Sequence, residues 1–195
     1  MTSGDETGTR SGDAHPESGP SDGRSGLFEA VYEELREVSR SVMAGEAPGH
    51  TLQPTVLVHE AFLRMSRESS SSFADETHFK AVAATVMRRV LIDHARRRTA
   101  AKRGGGRVVR LERMDVQGEE GGLLPEELLA LDDALRRLES ESGRRGRVVE
   151  LRYFGGLTFE RIAGMLDVSV NTAKNDWRFA RAWLQRALDE EARDA

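Results

Sequence analysis

Between Leu157 and Leu188 the apolar residues recur at helical spacing, break off briefly, and then recur again. Few folds accommodate that pattern. Phe159, Ile162, Ala163 and Leu166 fall at i, i+3, i+4 and i+7, the signature of one buried helical face. Thr158 stands where an N-cap belongs, and Glu160 lies in the first turn, where the helix dipole favours an acid. Asp167-Val168-Ser169 interrupts the period, and Ser169 can cap a second helix. In that helix Val170, Ala173, Trp177, Ala180 and Leu184 form the apolar stripe. At about 100° per residue the stripe leaves Asn171, Asn175 and Arg178 on the opposite side, with Lys174 and Arg181 at its borders. The pattern predicts a helix-turn-helix whose second helix presents side chains suited to base edges and phosphates in a major groove. An amphipathic hairpin with a solvated outer face has the same period. The short turn, followed by a capped helix with amides and cations near its start, favours the nucleic-acid reading.

The 195 residues allow one or two domains with modest cores. A net charge of −4 argues against indiscriminate coating of nucleic acid, but the charge is segregated. From Arg88 to Arg110 there are nine Lys or Arg against a single acid, Asp93, whereas Glu112 to Asp133 holds eight acids and one Arg. The basic block can neutralise phosphates and release their counterions. A solvated helix end would need only a few cations to complement its dipole.

Signals of other chemistry are weak. The absence of cysteine excludes disulfide frameworks and thiolate metal sites. His59-Glu60 is followed by Leu63 where a zinc-protease helix carries its second His. Gly104-Gly105-Gly106 is not followed by the Lys-Ser or Lys-Thr of a phosphate-binding loop, and no serine sits in a nucleophile elbow. The expectation is a protein that is not an enzyme and has no metal or cofactor. No run approaches the roughly 18 apolar residues of a membrane span, and the N-terminus lacks the apolar core of a secretory signal. A cytoplasmic protein without membrane insertion is expected.

Taken in order, residues 1–26 hold too little to bury and are expected to be a disordered tail. Helical spacing begins near Leu27 and runs through Phe28, Val31, Tyr32, Leu35 and Val42. After a connection over Gly45 to Pro54, a second helix is predicted from about Thr55 to Arg67, with Val58, Ala61, Phe62 and Met65 along one side. Ser69 to Ser72 reads as a loop. Asp75 or Thr77 can cap a third helix, which buries Phe79, Val82, Ala83, Val86 and Val90 and ends at the triple glycine. Pro125 then suits the first turn of a helix using Leu128, Leu131, Leu135 and Leu138. Gly143 separates it from a helix containing Val148, Val149, Leu151, Tyr153 and Phe154, which Gly155-Gly156 ends. The predicted fold class is all-α. Two small helical domains, 27–103 and 123–190, are joined by an acidic, glycine-containing linker over 104–122, and the second closes with the helix-turn-helix.

Three stretches carry a family resemblance. The first is Pro48-Gly49-His50-Thr51-Leu52-Gln53-Pro54-Thr55 with Val58-His59-Glu60-Ala61-Phe62-Leu63-Arg64. The second is Met87-Arg88-Arg89-Val90-Leu91-Ile92-Asp93-His94-Ala95-Arg96-Arg97-Arg98. The third is Ser169-Val170-Asn171-Thr172-Ala173-Lys174 continuing into Asp176-Trp177-Arg178-Phe179-Ala180-Arg181-Ala182-Trp183-Leu184. From about Leu27 to Leu188 the chain resembles a bacterial sigma factor of the extracytoplasmic-function group. That resemblance implies a dissociable specificity subunit of RNA polymerase, with core polymerase and promoter DNA as partners and room for an anti-sigma factor or another regulator.

By the same resemblance, the domain at 27–103 would dock on the coiled coil of the largest polymerase subunit and read the −10 element. The domain at 123–190 would sit on the flap of the second-largest subunit and read the −35 element. His59, Glu60, Phe62, Leu63 and Arg64 match the docking helix by position. Arg88, Arg89, Asp93, Arg96 and Arg97 match the helix that meets −10 DNA. Asn171, Thr172, Lys174, Asn175 and Arg178 match the −35 reader, which agrees with the face read from the periodicity. The acidic linker would thread the polymerase's RNA path.

The chain departs from the broader family at several points. Val56 and His59 replace an acid and a glutamine, and Asp167 replaces the glycine common at the corner of the helix-turn-helix. The aromatics near the basic helix are chiefly Phe73 and Phe79, so little stacking on opened strands is expected. Two other classes remain in view. A stand-alone helix-turn-helix regulator would bind duplex half-sites tightly as a dimer without polymerase. A protein-interaction module would use its basic helix on an acidic partner.

Overall fold

The computed structural model describes residues 20–43, 52–68, 73–101 and 123–194. The described residues form helices and connecting turns, with no strand among them. The chain runs α1 (Pro20–Met43), α2 (Pro54–Glu68), α3 (Glu76–Ala101), α4 (Pro125–Glu141), α5 (Gly143–Val149), α6 (Phe159–Leu166) and α7 (Val170–Asp194). A π-helical turn over Glu150–Phe154 continues α5 directly. The all-α expectation holds. Residues 1–19 of the expected tail, most of the connection after α1, the serine run, the triple glycine and the linker at 104–122 lie outside the described residues. The rest of the expected tail does not behave as one: α1 begins at Pro20, ahead of Leu27, with proline at its first helical position.

Local chemistry accounts for the helix starts. Asp75 Oδ1 accepts from the His78 amide at 2.8 Å, so Asp75 rather than Thr77 caps α3. Pro125 opens α4, and the Glu127 carboxylate reaches back to accept from the Leu124 amide at 2.8 Å. Gly143 is the first residue of α5 rather than a spacer before it.

The central element is α3. The sequence predicts one buried face, yet Ala81, Ala84, Leu91, Ile92 and Ala95 are buried as well as Phe79, Ala83, Val86 and Val90. The reason is that α3 is covered on two sides, by α1 and α2 on one and by α4 and the π-helical turn on the other. A helix wrapped in this way loses its single stripe. Val31 and Leu35 of α1 with Leu57, Val58, Ala61 and Met65 of α2 fill the first side. The leucines of α4, with Leu151 and Phe154, extend the same core toward α7, where Trp177, Ala180 and Leu184 close it. The helices on either side of residues 102–122 are therefore in direct contact. Gly155 marks a close approach: a Cβ there would lie 2.9 Å from the Ala84 Cβ and 2.8 Å from the Leu151 carbonyl oxygen.

Candidate nucleic-acid interface

The turn between α6 and α7 is built residue by residue. Thr158 caps α6, its hydroxyl accepting from the Arg161 amide at 3.3 Å. Hydrogen bonds from its own amide and from the Thr158 hydroxyl, with Lys174 and Arg152 nearby, hold the Glu160 carboxyl below the usual range. Asp167 takes the left-handed conformation, φ 52° and ψ 51°, that ends α6. The Val168 amide then closes onto the Ala163 carbonyl at 3.0 Å. Ser169 Oγ accepts from the Thr172 amide at 3.0 Å and caps α7.

The capped corner and the apolar stripe set which side of α7 faces outward. Ala173, Trp177, Ala180 and Leu184 are buried, while Asn171, Lys174, Asn175 and Arg178 are exposed. Arg178 donates to Asn175 Oδ1, so the two present a joined polar edge. Thr172 is half-buried, with its hydroxyl 2.8 Å from Ser169 Oγ, and thus belongs to the cap as much as to the open face.

One residue in this helix escaped the sequence reading. Asp176 is buried between Arg144 and Arg145 of α5, its Oδ2 2.7 Å from Arg144 Nε. Arg145 also lies 3.7 Å above the ring of the exposed Phe179. These contacts fix the roll of α7 against α5. An acid beside a predicted core Trp was the available signal.

The residues matched to polymerase docking lie on α2. Leu63 and Val56 are exposed, whereas Phe62 stacks on Phe28 at 4.2 Å between centroids and is half-buried. His59 Nδ1 donates to the Thr55 carbonyl at 2.7 Å, and its ring meets Phe28 and Tyr32 edge-on. Arg64 bridges Glu60 at 2.7 Å and Asp93 of α3 at 3.0 Å. The hydrogen bond with Asp93 is the main cause that raises its pKa above the ordinary value. Asp93 and Arg64, matched to two different roles, are thus partners in one ion pair.

The residues matched to −10 DNA are not presented together. Arg89 and Arg97 are exposed, and Arg97 Nε donates to the Asp93 carbonyl at 3.2 Å. Arg96 is exposed but leans to within 3.9 Å of Asp132. Arg88 is only 8% exposed, because α4 lies over it. Its Nε donates to Asp132 Oδ1 at 2.9 Å and its Nη1 to Glu139 Oε1 at 2.5 Å. Burial opposes the guanidinium's charge, yet Glu139 and Asp132 outweigh it and raise the pKa. Phe79 is fully buried and Phe73 packs on it edge-on at 4.9 Å, so Phe79 is withdrawn from any stacking role.

Among the described residues no helix is long and apolar enough to cross a membrane. No curated protein and no solved structure gives a match to the chain. The family model described as ECF sigma factor matches residues 14–190, nearly the whole length. With a capped helix-turn-helix behind that match, the chain belongs to the ECF sigma factor family and acts in transcription initiation, as a non-enzymatic DNA-binding regulator.

Proposed function

We propose that this sigma factor binds core RNA polymerase through 27–103 and directs it to promoters by reading a −10 element with α3 and a −35 element with α7. The observation that carries the proposal is the open face of α7. A helix held by its caps and by a buried Trp177 turns Asn171, Asn175 and Arg178 outward, at the spacing that lets one helix face lie in a major groove. Arg178 and Asn175 read bases, and Lys174, further round, grips phosphate. On α2 the exposed Leu63 beside the Glu60–Arg64 pair offers an apolar point ringed by charge, a surface that suits a protein partner. The same reading puts its polymerase contacts on the coiled coil of the largest subunit and the flap of the second-largest.

The test is co-purification of the full chain with core polymerase, followed by run-off transcription from candidate promoters. Polymerase-dependent transcripts are expected. Tight symmetric binding to duplex half-sites without polymerase would instead identify a stand-alone regulator.

A further inference from the structure

Asp176 lies on the flank of α7 between its open face and its buried stripe. At about 100° per residue it is one step round from Asn175 on one side and from Trp177 on the other. Its carboxylate is buried and held from α5. Oδ2 accepts from Arg144 Nε at 2.7 Å, and Oδ1 accepts from Arg145 Nε at 3.4 Å. Arg144 Nη2 also approaches Oδ1 at 3.5 Å, so two neighbouring guanidinium groups grip one carboxylate. Arg145 in turn covers the ring of Phe179, three residues further along α7. The base of this clamp is itself fixed: a Cβ on Gly146 would collide with the Glu139 side chain and lie 3.3 Å from the Glu139 Cα, which seats α5 on α4.

We propose that Asp176 is a positioning residue for −35 recognition: clamped by Arg144 and Arg145, it sets the roll of α7 and so decides which base edges Asn175 and Arg178 meet. This rests on the reading of α7 as the −35 helix. The apolar stripe sets the roll only coarsely. Ala173 and Ala180 flank Trp177 in it, and their side chains are shallow. Burial is also non-directional, whereas a charge-assisted hydrogen bond has a preferred distance and line. Side-chain tips stand about 5–6 Å from a helix axis, so a roll of about 10° carries them about 1 Å. A productive binding geometry tolerates about half of that. Asp176 touches no DNA in this role, and the two arginines act inward on its carboxylate rather than on phosphate.

The experiment is transcription by the full chain with core polymerase from a library of randomised −35 elements. Two variants break the clamp from opposite sides: Asp176→Asn, and Arg144→Gln with Arg145→Gln. Arg186→Gln with Arg193→Gln, two exposed arginines further along α7, matches the charge change of the second variant. Arg178→Ala identifies the positions that α7 reads. At those positions the discrimination between bases should fall about tenfold in both clamp variants, the scale of one good base contact. The charge-matched control should keep the wild-type profile. Lost stability alone scales every promoter alike, so a changed profile separates positioning from plain folding. The profile of either clamp variant is decisive, so failure of one to fold leaves the test intact.

Uniform loss in the clamp variants, with the profile intact, would overturn the positioning role while leaving Arg178 as a base reader. So would an intact profile in Asp176→Asn beside a uniform loss and a lower salt slope in the arginine variant, which would make Arg144 and Arg145 phosphate ligands. An unchanged profile in Arg178→Ala has a different meaning: α7 does not read the −35 element as proposed, and its positioning residue falls with that reading.

Discussion

Two arginines of this chain sit on long helices, each in a cationic neighbourhood, and meet opposite fates. Arg178 lies on the open side of α7, with Asn175 beside it and the buried stripe behind it. Arg88 lies on the side of α3 that α4 and the π-helical turn cover, although its neighbour Arg89 is exposed. The difference shows that a cation's role depends on what its helix's other neighbours leave uncovered. On a helix packed along one face, cations opposite the stripe are free to meet a ligand. On a helix packed along two, an arginine between the layers must find acids inside the protein, and Arg88 finds Asp132 and Glu139.

The largest test of that contrast is stability. Arg88→Ala removes the buried guanidinium that Asp132 Oδ1 and Glu139 share, leaving Asp132 only the pairs of its other oxygen with Arg136 and Arg96, and loss of one member of a buried pair costs about 3 kcal/mol or more. Arg178→Ala should stay within about 0.5 kcal/mol of wild type, as exposed substitutions do. Urea unfolding of the two variants reads the difference directly; equal midpoints would mean that the α3–α4 contact does not form in solution.

The contrast sharpens next on α7. A base-reading arginine discriminates by roughly 1–3 kcal/mol, whereas a phosphate contact is blind to sequence. Transcription from a library of randomised −35 elements should therefore lose its preference at one or two positions in Arg178→Ala. Lys174→Ala should lower all cognate promoters alike and reduce the salt slope by about one. A uniform loss in Arg178→Ala, with the profile intact, would show that α7 lies differently in the groove.

The smallest effect concerns the corner that aims α7. Asp167 holds φ 52°, a conformation that L-residues adopt at some cost and glycine does not. Asp167→Gly should raise stability by about 0.5–1 kcal/mol with the −35 profile unchanged. A lowered midpoint in thermal unfolding would indicate that the aspartate side chain supports the turn in its own right.

Much of the helix-turn-helix was legible beforehand because its information is local. Thr158, Ser169 and the stripe through Trp177 each act within a turn or two, and each stands where the spacing placed it. Pro125 and the leucines of α4 were readable for the same reason. The α3–α4 contact was not. Arg88 and Asp132 are far apart in the chain, and no periodicity links a basic block to an acidic one. The acids from Glu112 to Asp133 read as one charged block, and nothing in their spacing singled out Asp132, in the helix opened by Pro125, as the partner of Arg88. The π-helical turn was equally hidden, since Leu151 and Phe154 fit an ordinary helical pattern until the backbone is seen to widen. Asp176 sits next to Trp177 in the chain and still faces Arg144, because α5 crosses there.

Gly155 carries a consequence at the level of the gene. Its missing side chain is what lets the end of the π-helical turn lie against Ala84. A single-base missense change in a glycine codon always introduces a Cβ, whatever residue results. Every such change here drives that carbon toward the Leu151 carbonyl oxygen and toward α3 at once. A lineage that relaxed the contact between the two groups of helices could begin with one such base. Restoring it from any larger residue would require returning to a glycine codon or reshaping α3 at Ala84.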